Sequence, residues 1–225
     1  MPRSFAEVRR AEVRQIAALL PLLLLPVWAT LACEGPKDPM VRGAARFDQC
    51  APCHGAGGEG KPELGAPPIA GLPAWYVQAQ LDKFRIGARG AHVDDAAGLR
   101  MRGMSLTMPT AEDVHAVAHF VSSLHRAATV ASLVTDADAT RGKASFAACT
   151  ACHGQNGAGN PALNAPPIAG QADWYLLVQL NNFKHGRRGA NAKDTTGSTM
   201  KAVAASLDDQ QMKDLAAWVA SMPST

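Results

Sequence analysis

Apolar positions divide the 225-residue chain into one continuous run and two patterned halves. The run, Ile16 to Ala32, follows a polar stretch with four arginines (Arg3, Arg9, Arg10 and Arg14). The halves are near-copies: short segments with apolar residues at helical spacing, separated by loops rich in Gly and Pro. Gly43 and Phe47 lie four residues apart, as do Gly142 and Phe146, so each pair shares one helix face. A Gly there permits close approach of a second helix, and the Phe fills the crossing. The predicted partners are the last helix of each half, Ala111 to Leu124 and Asp208 to Met222, which carry Phe120 and Trp218. Trp75-Tyr76 and Trp174-Tyr175 open further helices through Gln80-Leu81-Phe84 and Gln179-Leu180-Phe183. No convincing alternation of strand type is present. The expected fold is mainly α, in two tandem domains at 40–126 and 139–225, joined by a linker at 127–138. The linker holds Val130, Leu133 and Val134 and is expected to lie along the surface.

Composition changes this picture in one way. Aromatic residues are 5% and charged residues 18% of the chain, with 20 Gly and 15 Pro. Two cores built from such side chains alone would be thin in domains this small. An apolar prosthetic group in each domain would supply the missing mass. The formal charge is +3, of which the segment 1–32 contributes +2 and the remainder +1. That balance argues against nucleic acid as a partner.

The chemistry lies in Cys50-Ala51-Pro52-Cys53-His54, which recurs ninety-nine residues later as Cys149-Thr150-Ala151-Cys152-His153. This is the C-x-x-C-H pattern of covalent haem c attachment. Two thiols on one helical turn add across the porphyrin vinyl groups, and the His supplies one axial ligand. A zinc site would not need His at a fixed position, and a thioredoxin-like pair expects a βαβ context that is missing. Each motif is followed by a Gly-rich loop and then by Ala66-Pro67-Pro68-Ile69-Ala70-Gly71 or Ala165-Pro166-Pro167-Ile168-Ala169-Gly170. A Pro carbonyl in this extended segment is placed to accept from His Nδ1 and leave Nε2 for iron. Ile69 and Ile168 are expected against the ring face.

For the second axial ligand the repeat selects Met101 and Met200, which keep the ninety-nine-residue offset and are read as loop residues. Met104 and Met108 are the rivals in the first domain, without Met twins. His92, His115, His119, His125 and His185 also lack His twins and are read as surface groups. Arg89 and Arg188 keep register, and either pair with haem propionates or are solvated.

On these motifs the chain resembles the tandem diheme class I cytochromes c of bacteria, of the cytochrome c-four type, over nearly all of 40–225. The resemblance implies two all-α domains, each built around one covalently bound haem c with a His/Met-ligated iron. It implies one-electron transfer between redox proteins, from a quinol- or dehydrogenase-side donor to a terminal oxidase or reductase, rather than catalysis. Two alternatives have other uses for the same motifs: a haem c subunit of a larger dehydrogenase or oxidase complex, and a diheme peroxidase. The peroxidase would want unlike haems, which the near-equivalent halves disfavour.

The remaining cysteine, Cys33, ends the apolar run in Thr30-Leu31-Ala32-Cys33. Residues 1–32 read as an export signal, interrupted by Pro21 and Pro26 and short for a membrane span. The ending resembles a lipobox, with Cys33 as the lipidation site and 33–39 as a tether, although Thr30 stands where an aliphatic residue is usual. The expected location is the periplasmic side of a bacterial membrane, lipid-anchored through the N-terminus. Signal cleavage near Ala32 with release to the periplasm, and an uncleaved anchor, are the alternatives.

Overall fold

The computed structural model describes residues 36–126 and 132–224. The expected export signal, Cys33, the start of the tether and linker residues 127–131 with Val130 lie outside the described residues. The rest is helical in the order the halves predict. In the first half, α1 spans Pro39–Phe47, α2 Ala51–His54, α3 Ala74–Arg85, α4 Ala96–Leu106 and α5 Ala111–Ser123. In the second, α6 spans Ala139–Ser145, α7 Thr150–His153, α8 Asp173–Lys184, α9 Thr195–Ala205 and α10 Asp209–Ser221. Extended pairing among the described residues is limited to two isolated bridges, Lys61 with Ala66 and Asn160 with Ala165.

Side-chain caps set the helix starts. Asp38 accepts from the Met40 and Val41 amides, and Asp138 from those of Thr140 and Arg141. Reciprocal capping boxes open the last helices, Thr110 with Asp113 and Asp208 with Gln211. Each supplies acceptors for amides that have no partner inside the helix.

The first and last helices of each half cross at the predicted glycines. A Cβ on Gly43 would strike the Ala116 carbonyl and Phe120 Cβ, and one on Gly142 would strike the Asp214 carbonyl and Trp218 Cβ. Phe47 sits beside Phe120 with ring centroids 5.3 Å apart. Ion pairs lock each crossing: Arg42 and Arg46 to Asp113, both at 2.8 Å, and Arg141 to Asp214 at 2.7 Å. Each core continues into the site, Phe47, Met108, Val114, Val117 and Val121 in one half and Phe146, Leu215, Val219 and Met222 in the other.

Both halves belong to one compact unit. Their joint is reciprocal. Gln80 Oε1 accepts from Arg89 Nη1 at 3.0 Å within its half and from Arg188 Nη2 at 2.9 Å across the joint. Gln179 Oε1 accepts from Arg188 Nη1 at 2.8 Å and from Arg89 Nη2 at 2.9 Å. Arg89 also donates to the Tyr175 hydroxyl at 3.0 Å. Both guanidinium groups are buried, each over a Phe of its own half, Arg89 on Phe84 and Arg188 on Phe183. The solvated alternative for these arginines is therefore excluded. Mutual exchange of equivalent contacts is how two copies of one surface meet about a two-fold axis. The described end of the linker is fastened to the second half, where Asp173 accepts from Ser132 Oγ at 2.5 Å and from the Leu133 and Val134 amides.

Candidate haem sites

Each site begins at the turn between two helices. The C-x-x-C-H residues wind through one short helix, so one thiol of each pair is half-buried (Cys50, Cys149) and the other exposed (Cys53, Cys152). Burial pushes the Cys50 thiol up to about 11. His54 and His153 close the turns and point inward, 6% and 7% exposed.

The Gly-rich loops then fold back on those histidines. The Gly60 amide donates to the His54 carbonyl at 2.7 Å, and the Gly159 amide to that of His153 at 2.8 Å. Both glycines have positive φ, 87° and 81°, and a Cβ on either would collide with the Pro67-Pro68 or Pro166-Pro167 backbone. Absence of a side chain is what lets the proline segment lie against the imidazole. The Pro67 carbonyl is 2.8 Å from His54 Nδ1, and the Pro166 carbonyl 2.9 Å from His153 Nδ1. A carbonyl only accepts, so Nδ1 carries the proton and Nε2 presents its lone pair. Burial lowers the basicity of both rings and keeps them neutral, against the smaller opposing effect of these bonds.

The methionines differ from expectation in one respect. Met101 and Met200 stand on helices α4 and α9, not in loops. Gly98 and Gly197, with few strongly apolar neighbours, give these segments a weak helical pattern. The helices form because Asp95 and Asp194 accept from the Gly98 and Gly197 amides at 3.0 Å. Of the rivals in the first half, Met104 is 41% exposed, while Met108 is core packing beside Phe47 and Val114. His92, His115, His119, His125 and His185 are all exposed.

In the second half an apolar cleft is lined by Cys149, His153, Pro166, Ile168, Leu180 and Met200. Residues of the first half, Pro67, Ile69, Tyr76, Gln80 and Lys83 among them, form part of its wall. Arg188 also lines it, and its buried Nε has no partner within the protein. Two thiols on one turn, a neutral imidazole with Nε2 free, a thioether and an unpaired guanidinium N–H suit a covalently held porphyrin with acidic substituents. Sequence reasoning did not find the trans-half wall residues. The offset between Gln80 and Gln179 is visible in the chain, but a repeat does not say that two copies face each other.

The family model described as cytochrome c matches residues 40–125 and 139–223. The chain belongs to the cytochrome c family. It is 35% identical over 98% of its length, and 94% of the relative's, to a thiosulfate dehydrogenase electron acceptor of Thiomonas intermedia (strain K12). Among solved structures it is similar to reduced recombinant cytochrome c4 from Pseudomonas stutzeri (28% identity, TM-score 0.66, 82% of this chain and 98% of that one). It is also similar to the as-isolated thiosulfate dehydrogenase of Marichromatium purpuratum (33% identity, TM-score 0.68, 82% of this chain), of which it spans 40%. This cytochrome thus has two tandem cytochrome c domains, carries two haem c groups and transfers electrons to or from redox proteins.

Proposed function

We propose that this cytochrome is a two-site electron acceptor for a dehydrogenase of the thiosulfate-oxidising type, and that it passes single electrons on to a terminal oxidase or reductase. In this reading Cys50 and Cys53 hold one haem and Cys149 and Cys152 the other. His54 with Met101, and His153 with Met200, would hold the two irons, and Pro67, Ile69, Pro166 and Ile168 would orient and cover the rings. Bound haem supplies the one-electron iron couple. The chain's own residues do the rest. The Pro67 and Pro166 carbonyls fix each imidazole through Nδ1, 2.8 and 2.9 Å away, so the ligand nitrogen is presented without a search. The buried walls exclude water, which lowers the polarisation that must rearrange when an electron arrives. A thioether ligand would favour the ferrous state, and with an imidazole opposite it would leave the iron no position for a substrate.

The observation that carries the donor assignment is the match over 98% of the chain to a relative named for accepting electrons from thiosulfate dehydrogenase. Two one-electron sites in one polypeptide also suit a donor that releases electrons in pairs. Rapid mixing of the oxidised cytochrome with a thiosulfate dehydrogenase and thiosulfate tests it. Both sites should become reduced within the dehydrogenase's turnover time. Reduction no faster than without the dehydrogenase would reject this donor.

A second reading, a fixed haem subunit of a dehydrogenase complex, is favoured by one observation. The similar Marichromatium purpuratum chain is a thiosulfate dehydrogenase of which this cytochrome spans only 40%. Co-purification of a dehydrogenase in fixed ratio would distinguish it from a freely diffusing carrier.

We further infer that the protein works on the periplasmic side of a bacterial membrane, held there by lipid on Cys33 after removal of residues 1–32. The apolar run Ile16 to Ala32 and the small residue before Cys33 support this. Cys33→Ser should shift the cytochrome from the membrane to the soluble fraction. Retention on membranes after verified leader removal would reject the lipid anchor.

A further inference from the structure

One pair of side chains is used neither by the cores nor by the haem clefts. His115 and His119 stand one turn apart on α5, the helix that closes the first domain. Both are exposed. Their rings lie with centroids 4.3 Å apart and planes tilted by 47°. The inner face of α5 holds the fold, with Val114, Val117 and Val121 in the core and Asp113 paired to Arg42 and Arg46. On the outer face, among the described residues, no hydrogen bond or ion pair engages either imidazole. The fold itself does not ask for imidazole here. The glycine crossings put Ala116 level with Asp214, so the second half carries Lys213 and Ala217 at the two places.

We propose that His115 and His119 form a surface site for a divalent transition-metal ion, and that the bound ion clamps the last two turns of α5. Side chains four residues apart meet on adjacent turns of a helix. Zinc takes each imidazole nitrogen at about 2.0–2.1 Å, so the two nitrogens must come within about 4 Å of each other. Rings whose centres are 4.3 Å apart reach this by side-chain rotation alone. His followed by His four residues on is the spacing by which one helix face offers two imidazoles to zinc in metalloproteases. In those enzymes a glutamate follows the first His as general base. Ala116 stands there in this chain, so the site binds an ion but lacks the base for hydrolysis. No group of three or more His, Cys, Asp or Glu gathers around an ion position among the described residues, so water or another molecule fills the remaining coordination. Imidazole suits zinc, nickel and copper, with affinity rising toward copper. An ion held by both rings binds the helical turn and not the unwound one, so it stabilises the turn.

Equilibrium dialysis of the untagged holoprotein against zinc chloride tests this. Zinc has no redox chemistry, so it leaves the oxidation state of the haems alone. Wild type should bind one equivalent that His115→Ala and His119→Ala each lose. His92→Ala, at an exposed histidine outside the helices, should keep it. Alanine on the solvent face of α5 favours the helix, so both site variants should fold. Amide hydrogen exchange in the last two turns of α5 should slow when zinc is added to wild type, and should not change in either site variant. Wild type without a bound equivalent would overturn the site, as would an equivalent that survives both substitutions or that His92→Ala also removes. Zinc bound through the pair with no slowing of exchange would overturn the clamp.

Discussion

The side-chain carbonyl of Gln80 accepts a hydrogen bond at 2.9 Å from Arg188, a residue of the other domain. The same oxygen serves Arg89, so one Gln holds two buried guanidinium groups. Gln80→Leu keeps the side chain's bulk but leaves Arg89 Nη1 and Arg188 Nη2 without this acceptor. Loss of an acceptor from a buried donor costs about 1–3 kcal/mol, and more when the donor is charged. Denaturant unfolding should show a loss at or above the top of that range. Amide exchange should quicken in α3 and α8 before it does at the Gly43 and Gly142 crossings.

Those crossings allow no methyl group. In Gly142→Ala the new Cβ meets the Asp214 carbonyl, a backbone atom that cannot swing away. Overpacking of this kind costs about 1–3 kcal/mol. The melting temperature should fall by about 2–12 °C, and haem should be retained, since neither the thiols nor His153 are touched.

Acid should weaken the same contact. The hydrogen bond from Arg141 holds the Asp214 carboxyl down at about 2, and that from Arg42 holds Asp113 well below the usual carboxylate range. A carboxyl whose folded value is depressed binds protons more readily when unfolded, so its stabilisation is complete above the ordinary value near 4. For Asp214 it is lost as pH falls from there toward about 2. Far-UV melts across this interval should show falling stability in wild type. Arg141→Met should be less stable at neutral pH and show a shallower acid decline.

Met200→His tests the distal ligand. Imidazole in place of the thioether lowers the potential of the iron it binds. One far-red charge-transfer band should vanish from the ferric spectrum and one of the two redox steps should fall, with the other unmoved. Survival of both bands would reassign the ligand.

A good part of this was legible in order along the chain. The haem attachment motifs are local chemistry, complete within five residues. The glycine and aromatic spacing that marks the helix crossing is also local, and its partners Phe120 and Trp218 lie where the apolar pattern put the closing helices. The methionine helices were harder to read, because α4 and α9 are started by single aspartate caps and carry Gly or Thr where strong helix formers would announce them. Ninety-nine-residue register still places Met101 and Met200 at equivalent points of these two helices, since a duplicated sequence preserves position even where local pattern is weak.

By itself, then, the sequence determined the cofactor chemistry, the all-α class and the duplication, because each depends on residues close together in the chain or on a repeat that can be counted. Only the tertiary structure decided that the copies face one another through Arg89, Gln80, Arg188 and Gln179, and that Lys83 of one domain reaches the buried Asp194 of the other. The cross-joint bonds of Arg89, Arg188 and Lys83 link residues 86 to 113 apart in the chain. Burial at the joint brings them together, and a charge is strong there because water is excluded.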